Sequence, residues 1–149
     1  MKHYIYIVVA FITTLTIFSS CTLESSDNGD LDGFWHLEAI DTLSTGGHLD
    51  MSNYKIFWGV QAKLISLQGS DNSFYLRFNQ TGDSLIVNTP YYNHWHEDAE
   101  NGGDIPVTDG TAMKIYGINA LTEPFLKEKL NGSKMILKSS TLRLYFTKF

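Results

Sequence analysis

The stretch of this sequence whose side chains could best support metal binding or catalysis is HWHEDAENGGD, residues 94–104. On a strand, His94 and His96 would point to the same side, as the ligands of a metal site must. Carboxylates follow within reach, at Glu97, Asp98, Glu100 and Asp104. Their spacing does not match an EF-hand loop, and a His-x-His pair beside acids is frequent on solvated loops. A metal-dependent enzyme at His94 and His96 is therefore the third of three hypotheses, and the sequence predicts no metal and no other cofactor.

Signatures of other catalytic chemistry are absent from the sequence. It contains no Gly-x-Ser-x-Gly elbow and no phosphate-binding loop, and nothing in it fixes a pair of catalytic carboxylates. Its one cysteine, Cys21, can form neither an internal disulfide nor a CxxC zinc site. The net charge of −5 argues against nucleic acid as a partner. The sequence therefore predicts a protein that is not an enzyme.

The N-terminal residues have the pattern of a secretory signal peptide. Lys2 and His3 precede an apolar run of about fifteen residues, followed by two serines and Cys21. The stretch FSSC resembles a lipobox, in which the cysteine is acylated and becomes the first residue after cleavage. A buried structural cysteine and a membrane helix are the alternatives. We expect a signal peptide over 1–20, lipidation at Cys21 and a flexible tether over 21–32. The predicted location is the outer membrane, at its periplasmic face or on the cell surface, with the lipid anchor holding the chain to the membrane.

Residues 33–149 read as one all-β domain. Alternating apolar residues predict a first strand from Gly33, a long strand over 54–67 and a hairpin over 73–88. Further strands are expected over 112–118, 134–138 and 141–149. The segment EPFLKEKL predicts one short helix near 123–130. Short strands separated by turns indicate a sandwich or a barrel.

The two ends of this domain resemble the lipocalin and calycin pattern. Gly33-Phe34-Trp35 opens the first strand, and the final strand ends in a base, Lys148. The resemblance implies an eight-stranded up-and-down antiparallel barrel, in which the tryptophan closes one end beneath a basic side chain. That base is arginine in the family and lysine here. The sequence is also similar to short lipocalin-like lipoproteins of gut-type Gram-negative bacteria, most of which have no assigned activity.

Strand parity independently predicts the same barrel-closing cap. Lys148 is an even number of residues from the apolar Leu142, Leu144 and Phe146, so on a strand its side chain points to the same face as theirs. It should therefore point inward, beside the start of the first strand. There its ammonium could lie over Trp35 as a cation–π contact. A glycine at position 33 would leave room for the chain to turn close beneath the barrel.

Two hypotheses concern binding rather than catalysis. In the first, the barrel binds a small apolar or amphipathic ligand among interior aromatics, for which the candidates are Trp58, Phe74, Phe78, Tyr92 and Trp95. In the second, the barrel is solid and docks another envelope protein, through a face that includes Arg143, Tyr145 and Phe149. Alternation looks the same for a cavity wall and for a packed core, so the sequence leaves both open.

Overall fold

The computed structural model describes residues 26–93 and 105–149. Its strands are β1 (Gly33–Thr42), β2 (Gly47–Asp50), β3 (Phe57–Gln61), β4 (Leu64–Gln68), β5 (Phe74–Gln80), β6 (Ser84–Tyr92), β7 (Glu123–Leu130), β8 (Lys134–Lys138) and β9 (Leu142–Lys148). Two 3-10 helices, Gly29–Leu31 and Gly110–Tyr116, precede β1 and β7.

The strands form a closed antiparallel barrel. Eight strands follow one another in the order β1-β3-β4-β5-β6-β7-β8-β9, and β9 pairs back with β1. The short β2 pairs with the second half of β1 and lies outside this ring. The predicted eight-stranded up-and-down barrel is confirmed, with β2 as an additional strand.

Alternation along each strand separates the core from the outer surface. In β5, Phe74, Leu76 and Phe78 are buried, whereas Tyr75 is half-buried and Arg77 is exposed. Because successive side chains point to opposite faces of a sheet, each strand contributes every second residue to the interior. The aromatic residues of the sequence therefore divide into an inner and an outer set.

The predicted helix near 123–130 is wrong, since these residues form β7. Glu, Lys and Leu favour a helix, but β7 fills the gap between β6 and β8 and pairs with both. Phe125 is buried while its neighbours Pro124 and Leu126 are exposed, which is the period of a strand. The buried carboxylate of Glu123 accepts hydrogen bonds from two backbone N–H groups of the preceding turn.

Two strand predictions also need correction. The long strand expected over 54–67 is divided into β3 and β4 by a tight turn, in which Ala62 has a φ of 53°. The strand expected over 112–118 is largely the 3-10 helix Gly110–Tyr116. Asp109 begins that helix by accepting a 3.0 Å hydrogen bond from the Thr111 amide, and a side chain that satisfies an N-terminal N–H stabilises a helical turn.

Residues 26–32, which the sequence places in the tether, pack against the barrel. Leu31 is fully buried, and Ala62 donates its backbone N–H to the Ser26 hydroxyl at 2.8 Å. Asn28 donates to the Ala62 carbonyl at 2.7 Å. The packed domain thus begins before Gly33. The predicted signal peptide and Cys21 lie outside the described residues.

No helix within residues 26–93 and 105–149 is both long enough and apolar enough to cross a membrane.

Candidate functional site

The cap at the start of β1 brings together the three residues that the sequence predicts for it. Trp35 is fully buried, and its indole N–H donates to the Leu31 carbonyl at 2.8 Å. The Lys148 Nζ lies 4.6 Å from the centroid of the Trp35 ring. It also donates to the carbonyls of Asp30 and Asp32, at 2.9 and 2.7 Å. One ammonium group thus ties the end of β9 to the segment that enters β1.

Gly33 lets these groups approach one another. Its φ is +131°, a region that residues with a side chain rarely adopt. A Cβ at this position would lie 3.1 Å from the Lys148 Cε. The glycine therefore serves both the backbone turn and the passage of the lysine side chain across it.

The barrel interior is filled by aromatic side chains in mutual contact. Trp58 on β3 is fully buried, with its ring centroid 5.1 Å from that of Phe146 and 6.0 Å from that of Phe125. Because these three rings belong to β3, β7 and β9, they meet across the lumen. Phe74 is likewise fully buried and lies 5.9 Å from Tyr116, ring to ring.

Tyr116 is the interior residue that sequence reasoning missed, because its segment was expected to be a strand. The 3-10 helix places its ring in the core, and its backbone carbonyl accepts from the Trp58 indole at 3.1 Å. Its hydroxyl donates to the Asn72 carbonyl at 2.6 Å, and burial raises the pKa of that hydroxyl. Both the backbone carbonyl and the side-chain hydroxyl of Tyr116 are therefore hydrogen-bonded, which holds the 3-10 helix in place.

The residues predicted to line a ligand cavity have different positions. Trp58 and Phe74 are in the packed interior, and Phe78 is 6% exposed. Tyr92 is partly buried and packs against Phe74 at a ring distance of 5.1 Å. Trp95 lies outside the described residues.

A cavity of about 830 Å³ lies on the outer surface of the barrel instead. One register row crosses it, in which Phe34 on β1 faces Gly59, Gly59 faces Ser66, and Ser66 faces Tyr75 on β5. Two small residues thus form a floor between two aromatic ones. Since neighbouring strands are about 4.8 Å apart, the two aromatic positions are roughly 14 Å apart across the row.

We call this cavity the outer groove. Its lining residues are Ser26, Asp32, Gly33, Phe34, Gly59, Val60, Gln61, Ala62, Leu64, Ser66, Gln68 and Tyr75. A Cβ on Gly59 would lie 2.7 Å from the Ser66 Oγ and 3.2 Å from the Phe34 ring, so the ring leans over the glycine. The only sequence signal for this site is two small residues at outward positions of apolar strands.

Two of the three side chains predicted to dock an envelope protein, Arg143 and Tyr145, already bind other residues of the barrel, whereas Phe149 is exposed. The Tyr145 hydroxyl donates to Asp41 at 2.8 Å, and Arg143 pairs with Glu128 through bonds of 2.7 and 3.0 Å. Asp41 also accepts from His48 at 2.6 Å, which joins β2 to β1. These hydrogen bonds, from His48 first and Tyr145 second, hold the pKa of Asp41 below its ordinary value.

The Asp41 contacts predict acid sensitivity. Because the folded pKa of Asp41 is below its unfolded pKa, its stabilisation is present above about pH 4 and is lost as the pH falls through the folded value. We expect Asp41→Asn to flatten the decline in urea midpoint as the pH falls below about 4. Urea melts of both proteins across that range measure it. Parallel curves for the two proteins would contradict the expected link.

The metal hypothesis concerns His94 and His96, which lie outside the described residues. Within residues 26–93 and 105–149, no group of three or more His, Cys, Asp or Glu side chains is arranged to hold a metal ion. His36 and His48 are instead bound to acidic neighbours, at 3.0 Å to Glu38 and 2.6 Å to Asp41.

Comparisons with known proteins agree with this architecture. A family model described as a lipocalin-like domain matches residues 16–149. A lipocalin-like protein from Bacteroides uniformis ATCC 8492 is 19% identical, with a TM-score of 0.58 over 81% of this chain and 100% of that one. An uncharacterized protein from Bacteroides eggerthii DSM 20697 is 20% identical, with a TM-score of 0.53 over 79% of this chain and 98% of that one. These two structures share the fold with this chain, and no curated protein matches its sequence. The chain therefore belongs to the family of lipocalin-like domains, whose barrel is generally a binding fold rather than a catalytic one.

Proposed function

We propose that this protein is a non-catalytic lipoprotein of the cell envelope that binds a small amphipathic molecule in the outer groove. The observation that carries the proposal is the row Phe34-Gly59-Ser66-Tyr75, which forms a trough on a barrel whose interior is already occupied. Binding on the outer face replaces the interior binding that the sequence suggested.

The lining of the outer groove favours a ligand with an apolar body and uncharged polar groups. Phe34 and Tyr75 offer ring faces on either side of the floor, and Leu64 adds apolar surface. Gln61 and Gln68 lie in the register rows on either side of the trough and present amide groups that both donate and accept. A few polar groups around apolar walls are typical of small-molecule sites.

The charge within the outer groove supports binding rather than catalysis. Asp32 is the one carboxylate among its described lining residues. Its Oδ1 accepts from the Ser26 hydroxyl at 2.6 Å and from the Asn28 side chain at 2.7 Å, and its Oδ2 accepts from the Asn28 backbone N–H at 3.2 Å. A general base needs a free lone pair aimed at its substrate. The Asp32 carboxylate holds the N-terminal segment instead.

The Ser66→Tyr substitution should block the outer groove. A phenol at this position would occupy the trough between Phe34 and Tyr75 and exclude a ligand from the floor. We expect it to weaken the binding of N-phenyl-1-naphthylamine, a neutral amphipathic fluorophore, by about tenfold or more. Fluorescence titration of residues 26–149 measures this affinity.

The matched control for this substitution is Ser84→Tyr. Ser84 is also a half-buried serine, but it lies on β6, outside the outer groove. Its variant should bind the fluorophore as the unmodified protein does. If both substitutions weakened binding equally, or if neither weakened it, the outer groove would not be the binding site.

Lipid attachment requires the thiol of Cys21. In a Gram-negative host supplied with labelled palmitate, the unmodified chain should incorporate the label and sediment with membranes. Cys21→Ala should lose both properties, because no acyl chain can then be attached and stable anchoring depends on such chains. Labelling that persists in the variant would contradict the lipoprotein assignment.

A further inference from the structure

Three phenylalanine rings form a cluster on the outer surface beside the cap. Phe34 and Phe57 stack with centroids 4.7 Å apart and an interplanar angle of 12°. Phe149 stands edge-on to both, at 6.4 and 5.8 Å. Its backbone N–H donates to the Phe34 carbonyl at 2.8 Å, which fixes it beside β1. We call these three residues the aromatic patch.

The aromatic patch takes no part in the core. Phe34 and Phe57 are only half-buried and point away from the interior, and Phe149 is 88% exposed. Leaving contiguous apolar rings in water is unfavourable, so such a cluster marks a surface that something covers.

Its area is small for a protein interface. Three phenylalanine rings offer at most about 450–750 Å² in total, even if fully covered. A stable protein–protein interface buries about 800 Å² on each partner. A membrane surface needs less contact when another attachment already holds the protein there, because that attachment raises the effective concentration of the patch.

The chain's own predicted anchor supplies that attachment, and here the inference rests on the proposed lipoprotein function. Ser26 is held to the turn after β3 through Ala62, and it lines the same groove as Phe34. Cys21 is five residues earlier, so its Cα lies within about 18 Å of that of Ser26. An anchor at Cys21 would therefore hold Ser26, and the groove that Ser26 lines together with Phe34, close to the membrane.

One basic residue of the outer surface lies on β8, the strand next to β9, which ends just before Phe149. Lys134 on β8 donates to the Thr147 hydroxyl at 2.7 Å, and Thr147 is the register partner of His36, which lies beside Phe57. Lysines beside aromatic rings suit a membrane surface, where anionic headgroups attract the cations and rings enter the headgroup region.

We propose that the aromatic patch rests on the bilayer that holds the acyl chains of Cys21, with the three rings inserted at the headgroup boundary. Phe34 belongs to both the aromatic patch and the outer groove. In this orientation the outer groove opens beside the membrane surface, where amphipathic molecules accumulate. The lipid anchor determines that the protein is at the membrane, and the aromatic patch determines which side faces it.

Depth-dependent quenching tests this orientation. The full acylated chain carrying Phe149→Trp is reconstituted into vesicles of phosphatidylcholine and phosphatidylglycerol with brominated acyl chains, which quench nearby indoles. The control is Ile86→Trp on β6, the strand opposite β1 in the ring, at a position 36% exposed. The native tryptophans are common to both variants. We expect bromolipid to quench the added fluorescence of Phe149→Trp and to leave that of Ile86→Trp unchanged.

Flotation of the same samples separates the two proposals. If the chain floats with vesicles and bromolipid quenches both variants equally, or neither, the orientation is overturned while the lipid anchor stands. Protection of Phe149→Trp from aqueous acrylamide without bromolipid quenching would mean that a second copy or another protein covers the aromatic patch, which also overturns it. A chain that fails to float would remove the anchor and, with it, the inference drawn from the anchor.

Discussion

Trp58→Ala is expected to lower the free energy of unfolding by about 3–5 kcal/mol, the range found for the removal of large aromatic core residues. The substitution removes the ring that meets Phe125 and Phe146 across the barrel. It also leaves the Tyr116 carbonyl without the indole N–H that it accepts at 3.1 Å. A buried acceptor that loses its partner adds its own desolvation penalty. Urea denaturation of residues 26–149, with comparable m-values for both proteins, measures the loss.

The control for this prediction is Tyr54→Ala, which removes an exposed aromatic ring. It should change the free energy of unfolding by no more than about 0.5 kcal/mol. If Trp58→Ala cost equally little, Trp58 would line an open lumen, and interior ligand binding would again be the better hypothesis.

Binding of an added ligand to Trp58→Ala would distinguish a filled barrel interior from an open lumen directly. A cavity left by a missing indole can bind a small aromatic molecule, and any ligand that binds the folded state raises its apparent stability. Added indole should therefore raise the melting temperature of Trp58→Ala and leave that of the unmodified protein unchanged.

The sequence predicted the correct number of barrel strands, eight, but it assigned some of them to the wrong segments. The expected strand over 54–67 is two strands, the one over 112–118 is largely a 3-10 helix, and the expected helix near 123–130 is β7. Local preference failed at 123–130 because β6 and β8 both required a pairing partner there. Helix propensity depends on the residues of the segment alone, whereas the need for a strand between β6 and β8 depends on how the whole chain folds.

The cap and the outer groove differ in how far the sequence could reveal them. The cap depends on the parity of single strands, and parity placed Lys148 on the inner side together with Phe146. The outer groove depends on register across four strands, because Gly59 and Ser66 form a floor only when they face one another. A shift of one residue would replace them with buried neighbours, and register is fixed by turns such as that at Ala62.

The sequence also could not show whether the barrel is hollow or filled, and the structure was needed to decide it. The interior strands read alike in both cases, and the deciding residue is Tyr116, which arrives from a connection and not from a strand. A tyrosine in an alternating segment carries no signal that its segment will turn into the barrel. The division of aromatic residues between core and surface follows from the strands alone, but their use for filling or for binding does not.

Lys148→Met is expected to lower the free energy of unfolding by about 1–3 kcal/mol, the combined scale of a cation–π contact and charge-assisted hydrogen bonds. Methionine keeps an apolar side chain over Trp35 but removes the charge. The carbonyls of Asp30 and Asp32 then lose a donor that lies within 2.9 Å of each. Because this ammonium joins the end of β9 to the entry of β1, amide hydrogen exchange should increase most in residues 29–36.

Two further lysine variants separate the role of the cap from a general effect of charge. Lys134→Met removes an exposed ammonium that donates to the Thr147 hydroxyl, so it should change stability by no more than about 0.5 kcal/mol. Lys148→Arg should retain most of the stability, because guanidinium can also lie over an indole and donate to two carbonyls. If Lys148→Met were as mild as Lys134→Met, β1 and β9 would be held by their backbone ladder and the buried Trp35 alone. A loss specific to Lys148→Met would mean that closure of this barrel end requires the cation itself.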